Sequence, residues 1–334
     1  MIGERSAIWK EEEYSYPAAY GFIPFIVSYV HEDNRIRPAM LVVPGGAYRY
    51  ASPYEGNLPA LEFYRAGYNV FVLVYTVNQL EELEAPLGRQ PLRDISRAVR
   101  IIRAHSARCH VDPQKIAVCG FSAGGHLCAS LCVHYGDIKD PDPAYDEVSN
   151  RPDAAVLCYP VITSGKYANQ ESFRALLGEE PEEAELAYMS LENHVTADTP
   201  PCFLWQTATD SSVPVENSYL FAEACRKAGV PYAHHVFSDG IHGMSVATLE
   251  WLDKESEELY TLDQIRLLAE AVTTGKTPCP LEKGEELIRE FALDGGKRER
   301  WTPEVKERLR GLLDEVGIWT ELAEKWLARE LALK

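Results

Sequence analysis

Residues 115–126 read KIAVCGFSAGGH. The run Lys115-Ile116-Ala117-Val118-Cys119 has the apolar, β-branched character of a buried strand, and a hydrophobic helical pattern covers 123–135. Between them, Gly120, Gly124 and Gly125 fall within six residues. Glycine inside a helix or strand costs about 0.5–1 kcal/mol relative to alanine, so the turn itself must require them. Gly120-Phe121-Ser122-Ala123-Gly124 fits G-x-S-x-G, and its strand-before, helix-after setting separates a nucleophile elbow from a chance match. So sharp a turn strains Ser122 and leaves no room for flanking side chains. It presents Oγ at the head of a helix, whose free N–H groups favour developing negative charge.

Outward from this turn, β-rich runs alternate with helical stretches. The expected strands are MLVV (40–43), NVFVLVY (69–75), KIAVCG (115–120), AAVLCY (154–159), CFLWQ (202–206) and YAHHVF (232–237). Helical patterns cover 57–66, 91–106, 123–135 and 215–228. Several strands are apolar throughout, as in a parallel sheet buried on both faces. The alternation predicts an α/β fold with right-handed crossovers. FIPFIVSYVH (22–31) alternates better and is expected to form an antiparallel edge hairpin. After residue 250 the chain becomes charged and helix-prone, with Pro278-Cys279-Pro280 and Gly295-Gly296 as breakers. Trp319, Leu322, Trp326 and Leu333 recur at helical spacing, predicting a last helix docked on the core. The expected organisation is a core over 1–249, a helical insertion over 250–314 and a final core helix over 315–334.

With 334 residues, 46% of them hydrophobic, the chain is long enough for a large core. A net charge of −18 argues against nucleic acid or an anionic membrane surface as partner. No run approaches the roughly 18 apolar residues that span a bilayer. MIGERSAIWKEEEYSYP lacks a basic start followed by an apolar stretch. The eight cysteines are scattered through apolar segments, and free cysteine behaves as a small buried hydrophobe. Cys128 and Cys132 stand four apart near His126 and His134, but two core thiols are the simpler reading. A cytoplasmic chain is expected.

A serine hydroxyl needs a base to take its proton, and the base needs an orienting acid. His242 follows the last expected strand in the loop Ser238-Asp239-Gly240-Ile241-His242-Gly243. His234 and His235 lie inside that strand, and His126 is only four residues past Ser122. For the acid, Asp210 sits at the centre of the turn-rich segment after CFLWQ. It could equally serve as a turn former or helix cap. Asp239 is the rival, but only three residues separate it from His242. The order Ser122, Asp210, His242 is the one that G-x-S-x-G elbows use. Pro44-Gly45-Gly46-Ala47-Tyr48 follows the first parallel strand, where an HGGG-type loop supplies an oxyanion donor. The N–H groups of Ala123 and of Gly46 or Ala47 are the candidate pair; a plain turn is the alternative.

Together VVPGGAY, PLRDISRAVRIIR, DPQKIAVCGFSAGGH, TATDSSVPVENS and GIHGM resemble the α/β-hydrolase family of acetyl and carbohydrate esterases, more narrowly its bacterial acetyl-esterase and acetylxylan-esterase-like branch. The resemblance covers about 14–249 and resumes at 316–327, where IWTELAEKWL is similar to that family's final helix. It implies an α/β-hydrolase fold, a Ser122–Asp210–His242 triad, an oxyanion hole from the PGGAY loop and Ala123, and neither metal nor organic cofactor. A small acyl group such as acetyl, carried on a sugar or xylo-oligosaccharide, is the implied substrate. In that family the last helix follows the histidine closely. Here about 60 residues intervene, which would form a lid, a dimerisation arm giving a homodimer, or plain packing. Tyr48, Tyr159 and Trp205, near expected strand ends, are candidates to line a sugar-accepting mouth, but core packing is the simpler reading for each. Two rivals share the fold: an exopeptidase or formamidase using the same triad, and a binding protein without turnover.

Overall fold

Eight strands form one sheet. They are β1 (Ile2–Ala7), β2 (Phe25–Tyr29), β3 (Arg37–Val43), β4 (Asn69–Val74), β5 (Val111–Phe121), β6 (Ala154–Cys158), β7 (Cys202–Thr207) and β8 (Tyr232–Phe237), in the order β1-β2-β4-β3-β5-β6-β7-β8. The computed structural model describes residues 2–253, 259–295 and 300–333. From β4 to β8 every pairing is parallel. β2 runs antiparallel to both β1 and β4. The expected strand at 22–31 is therefore present and antiparallel but is not the edge. The edge is β1, IGERSA, whose exposed polar residues carry no hydrophobic signal. Charged residues suit an outermost strand, because they discourage further pairing.

Side chains of β3 alternate between two cores. Leu41 and Val43 face one apolar cluster, and Met40 and Val42 face the other. The first cluster is covered by α2 (Gln90–Ala104), α3 (Ala123–His134) and α5 (Glu216–Ala228); the second by α1 (Asn57–Arg65) and α9 (Trp319–Glu330). Helix α4 (Gln170–Leu177) adds Phe173 and Leu176 to the first. Helices on both faces explain why β3, β4 and β6 read as continuous apolar runs. The protein thus has the α/β-hydrolase fold, with a mostly parallel sheet between helical layers.

The described part of 250–314 does not stand off as a separate unit. Helix α6 (Asp263–Thr273) places Ile265, Leu268 and Val272 in the first core, and α7 (Leu281–Glu290) adds Leu287. Gln264 accepts from the Val77 N–H at 2.9 Å and donates to the Val77 carbonyl at 2.7 Å. Leu309, from α8 (Pro303–Arg310), joins the second core with Leu313 and Val316. All eight cysteines lie within the described residues as free thiols, seven of them buried. Cys128 and Cys132 are among the core packing residues. No helix among the described residues is long and apolar enough to cross a membrane.

Candidate active site

Strand register brings the reactive segments together. Val43, the last residue of β3, pairs with Gly120 of β5, and Phe121 pairs with Cys158 of β6. The loop after β3 and the turn after β5 therefore leave the sheet side by side at the carboxyl ends of the strands, where open α/β sheets place their ligands. Ser122 adopts φ 53° and ψ −118°, a conformation that costs a non-glycine residue about 1–3 kcal/mol. Its N–H is held by the Cys158 carbonyl at 3.0 Å. The close approach explains the flanking glycines. A Cβ on Gly124 would lie 2.2 Å from the Val43 carbonyl oxygen, and one on Gly120 would lie 2.2 Å from the Gly124 carbonyl oxygen.

Ser122 Oγ lies 2.8 Å from His242 Nε2, and His242 Nδ1 lies 2.7 Å from Asp210 Oδ2. A carboxylate only accepts, so Nδ1 carries the proton and Nε2 is left to accept from the serine hydroxyl. The other Asp210 oxygen, Oδ1, accepts the N–H groups of Ser212 and Val213, both at 2.9 Å. The turn segment after β7 therefore orients the carboxylate. The Asp210 side chain is fully buried, while 21% of the His242 side chain is exposed, enough to admit a reactant. Asp239 is drawn away: its Oδ1 accepts from the Thr209 hydroxyl at 2.7 Å and from Arg308 at 2.8 Å. His234 reaches the Ser218 hydroxyl instead. His126 is buried in the core, its Nε2–H donating to the Met189 carbonyl and its Nδ1 accepting from Tyr48 Oη. Burial lowers its pKa to about 4.

The loop after β3 is tightly fixed. Gly46, Ala47 and Tyr48 all have positive φ, at 118°, 54° and 60°. Tyr75 Oη donates to the Pro44 carbonyl at 2.8 Å, and the Asn78 N–H donates to the Tyr48 carbonyl at 2.9 Å. Ala123 is the first residue of α3, so its N–H has no acceptor one turn earlier. Backbone donors of this kind, aimed at a carbonyl beside Ser122, can hold a developing oxyanion.

Tyr48, Tyr159 and Trp205 do not line a mouth. Each is at most 2% exposed. The left-handed backbone at Tyr48 turns its ring into the core against Tyr75 and His126. Trp205 stacks on Trp319 with centroids 5.2 Å apart. Tyr159 sits edge-on to His242 at 4.9 Å, beneath the imidazole. All three rings belong to the cores rather than to a mouth, because apolar area near strand ends is better buried under the adjoining helices than left in water.

One residue of this site carries no sequence signal. Glu55 lies in a one-turn helix, Pro53–Glu55, and is 5% exposed. Its Oε2 accepts the Gly45 N–H at 2.9 Å, and its Oε1 accepts from Tyr159 Oη at 2.7 Å. Burial raises its pKa, opposed by the Tyr159 hydroxyl, the charge of His242, the Gly45 N–H and the charge of Arg300. The segment after residue 250 also reaches this region. Phe291 packs edge-on against Tyr50, and the Arg300 guanidinium lies 3.6 Å from the centre of the Tyr54 ring.

Residues 29–225 match the family model BD-FAE. The chain is 50% identical over 260 residues to endo-1,4-beta-xylanase B of Butyrivibrio fibrisolvens, covering 78% of this chain and 41% of that protein. It is 27% identical over 224 residues to an acetylxylan esterase of Xylanibacter ruminicola, covering 65% of this chain and 43% of the other. The chain thus spans less than half the length of these two relatives. Among solved structures, the acetyl ester-xyloside bifunctional hydrolase of Caldicellulosiruptor lactoaceticus superposes with a TM-score of 0.68 at 38% identity, over 82% of this chain and 97% of that one.

Proposed function

We propose that this chain, which belongs to the BD-FAE family of α/β hydrolases, is a serine carboxylesterase that removes short acyl groups, acetyl first, from xylan-derived sugars. The observation that carries this reading is the unbroken chain of hydrogen bonds from Ser122 through His242 to Asp210. Ser122 Oγ attacks the ester carbonyl as its proton passes to His242 Nε2, while Asp210 steadies the imidazolium. Negative charge gathers on the carbonyl oxygen, within reach of the N–H groups of Ala123 and of Gly46 or Ala47. His242 then returns the proton to the departing sugar hydroxyl, leaving acetyl-Ser122. Water, deprotonated by His242, repeats the attack and releases acetate with Ser122 restored.

The acetylated-sugar substrate is supported by three relatives named as a xylanase, an acetylxylan esterase and an acetyl ester-xyloside hydrolase. Eight free cysteines, mostly buried, suit a reducing cytoplasm, where imported acetylated oligosaccharides would be met. Recovery of the protein from the medium instead of from cells would overturn that location.

The activity is tested with 4-nitrophenyl esters from acetyl to octanoyl, using the native protein and Ser122→Ala. Turnover fastest on acetyl, and reduced by at least about 10⁴ in the variant, is the expected result. Activity surviving in Ser122→Ala would remove the serine from the mechanism. No ester turnover by the native protein would shift the activity to amides or to binding alone.

A further inference from the structure

Glu55 is joined to three separate parts of the site. Its Oε2 accepts from Gly45, immediately before the Gly46-Ala47 segment. Its Oε1 accepts from Tyr159, whose ring lies against His242 and whose hydroxyl oxygen in turn accepts the Ser245 N–H at 3.1 Å. Because that oxygen is already an acceptor, the hydroxyl hydrogen is free to point at Glu55. Both carboxyl oxygens then act as acceptors, the pattern of a carboxylate. Glu55 also lies close to the loops that carry the reacting groups. A Cβ built on Gly45 would lie 2.8 Å from both Glu55 Oε2 and Ser122 Cβ, and one on Gly243 would lie 4.0 Å from Glu55 Oε1. The carboxylate thus sits between the loop after β3 and the loop that carries His242. Ser245 extends the connection: its Oγ donates to the Tyr54 carbonyl at 2.7 Å, and its own carbonyl accepts from Trp319 Nε1 at 2.8 Å.

We propose that Glu55 is a positioning residue for ester hydrolysis, a buried anion that fixes the oxyanion loop through Gly45 and the histidine loop through Tyr159, and that stabilises the imidazolium of His242 through space. The role rests on the esterase reading above. In the transition state His242 gains positive charge. Asp210 answers it through a hydrogen bond and Glu55 through the low-dielectric interior, where charges interact more strongly than in water. The ionisable groups facing Glu55 are Tyr159, His242 and Arg300, with Tyr75 and Cys158 also within its field. His242 itself faces Asp210, Ser122, Tyr159 and Glu55.

Glutamine tests both parts of the role. It has one acceptor oxygen, so either the Gly45 N–H or the Tyr159 hydroxyl meets an amide N–H, and the negative charge is gone. With 4-nitrophenyl acetate, Glu55→Gln is expected to lower kcat by about ten- to a hundred-fold, less than the roughly 10²–10³ that follows loss of an oxyanion donor itself. KM should stay within about threefold. Removing a nearby anion makes the imidazolium less favourable, so the acid limb of kcat/KM should move to lower pH. Glu55→Asp restores the charge without the reach, so its acid limb should return toward the native position while kcat stays reduced. A folded Glu55→Gln protein with native kcat and an unmoved acid limb overturns the role, as does a lowered melting temperature with unchanged kinetics. If Glu55→Gln does not fold, Tyr159→Phe keeps the carboxylate and removes one of its two donors. It should lose roughly ten-fold in kcat, and native kcat there overturns the proposal. Turnover persisting in Ser122→Ala would instead overturn the esterase reading, a result distinguishable from any effect of Glu55.

Discussion

Replacing Asp210 with asparagine exchanges one carboxylate oxygen for an amide NH₂ and should nearly silence the protein. Asp210 Oδ1 accepts two N–H groups, from Ser212 and Val213, while Oδ2 faces His242 Nδ1. In the Asp210→Asn protein the oxygen must occupy the Oδ1 place, because an amide NH₂ there would meet two donors. The NH₂ is therefore turned toward His242 and donates to Nδ1. The imidazole must then carry its proton on Nε2, the atom that has to accept from Ser122 Oγ at 2.8 Å. The fold keeps its turn, but the base holds its proton on the wrong nitrogen. In a Ser-His-Asp triad this tautomer error costs about 10⁴ in kcat, or about 5 kcal/mol at roughly 1.4 kcal/mol per tenfold. The assay is single-turnover and steady-state hydrolysis of 4-nitrophenyl acetate at pH 7.5, with a thermal melt of the same preparation. A melting temperature within a few degrees of native, together with the 10⁴ loss, is the expected pair. A well-folded Asp210→Asn protein that loses less than about tenfold would refute the argument, because the aspartate would then not be setting the tautomer.

Two further outcomes follow from the packing around the site. Gly124→Ala puts a Cβ 2.2 Å from the Val43 carbonyl oxygen and 2.4 Å from that of Pro44. Both neighbours are backbone, so the elbow and the oxyanion loop must part. A stability loss of about 3 kcal/mol and a fall in kcat/KM of at least about a hundredfold are expected, and native values for both would refute the close approach. His126 is neutral in the fold down to about pH 4, whereas in the unfolded chain it takes up a proton near pH 6.5. The unfolded state therefore binds more protons between these values. The stability this residue confers is complete above about pH 6.5 and declines as pH falls, by about 2 kcal/mol at pH 5. In urea melts at pH 7 and pH 5, His126→Gln should lose less stability than the native protein; equal losses would contradict the assignment.

The fold was largely legible because its signals are local. A parallel strand buried on both faces must be apolar along its length, as in NVFVLVY and AAVLCY. An elbow must carry small residues where backbone meets backbone, as at Gly120 and Gly124. The segments bearing Ser122, Asp210 and His242 could be marked for the same reason, since each leaves a strand end through a turn with its own residue demands. Local signals failed at β1, an edge strand of exposed polar residues, where hydrogen bonding to β2 supplies what periodicity does not. Nor do they separate the two readings of Tyr48, Tyr159 and Trp205, where core packing prevails: a ring near a strand end looks alike in sequence whether it faces solvent or lies under a helix.

Glu55 marks the boundary most clearly. In sequence it is one acid among 51, in a segment with no pattern of its own. Its neighbours in the fold are Gly45, ten residues away, and Tyr159, 104 residues away. The burial of α6 against the first core, through Gln264 and Val77 187 residues apart, is of the same kind. Chain order and residue type alone specify most of the strands, helices and turns, β1 excepted, because those depend on backbone dihedrals and on the few residues within one or two turns. Which buried charge meets which donor depends on where distant segments come to rest, and only packing of the whole chain decides that.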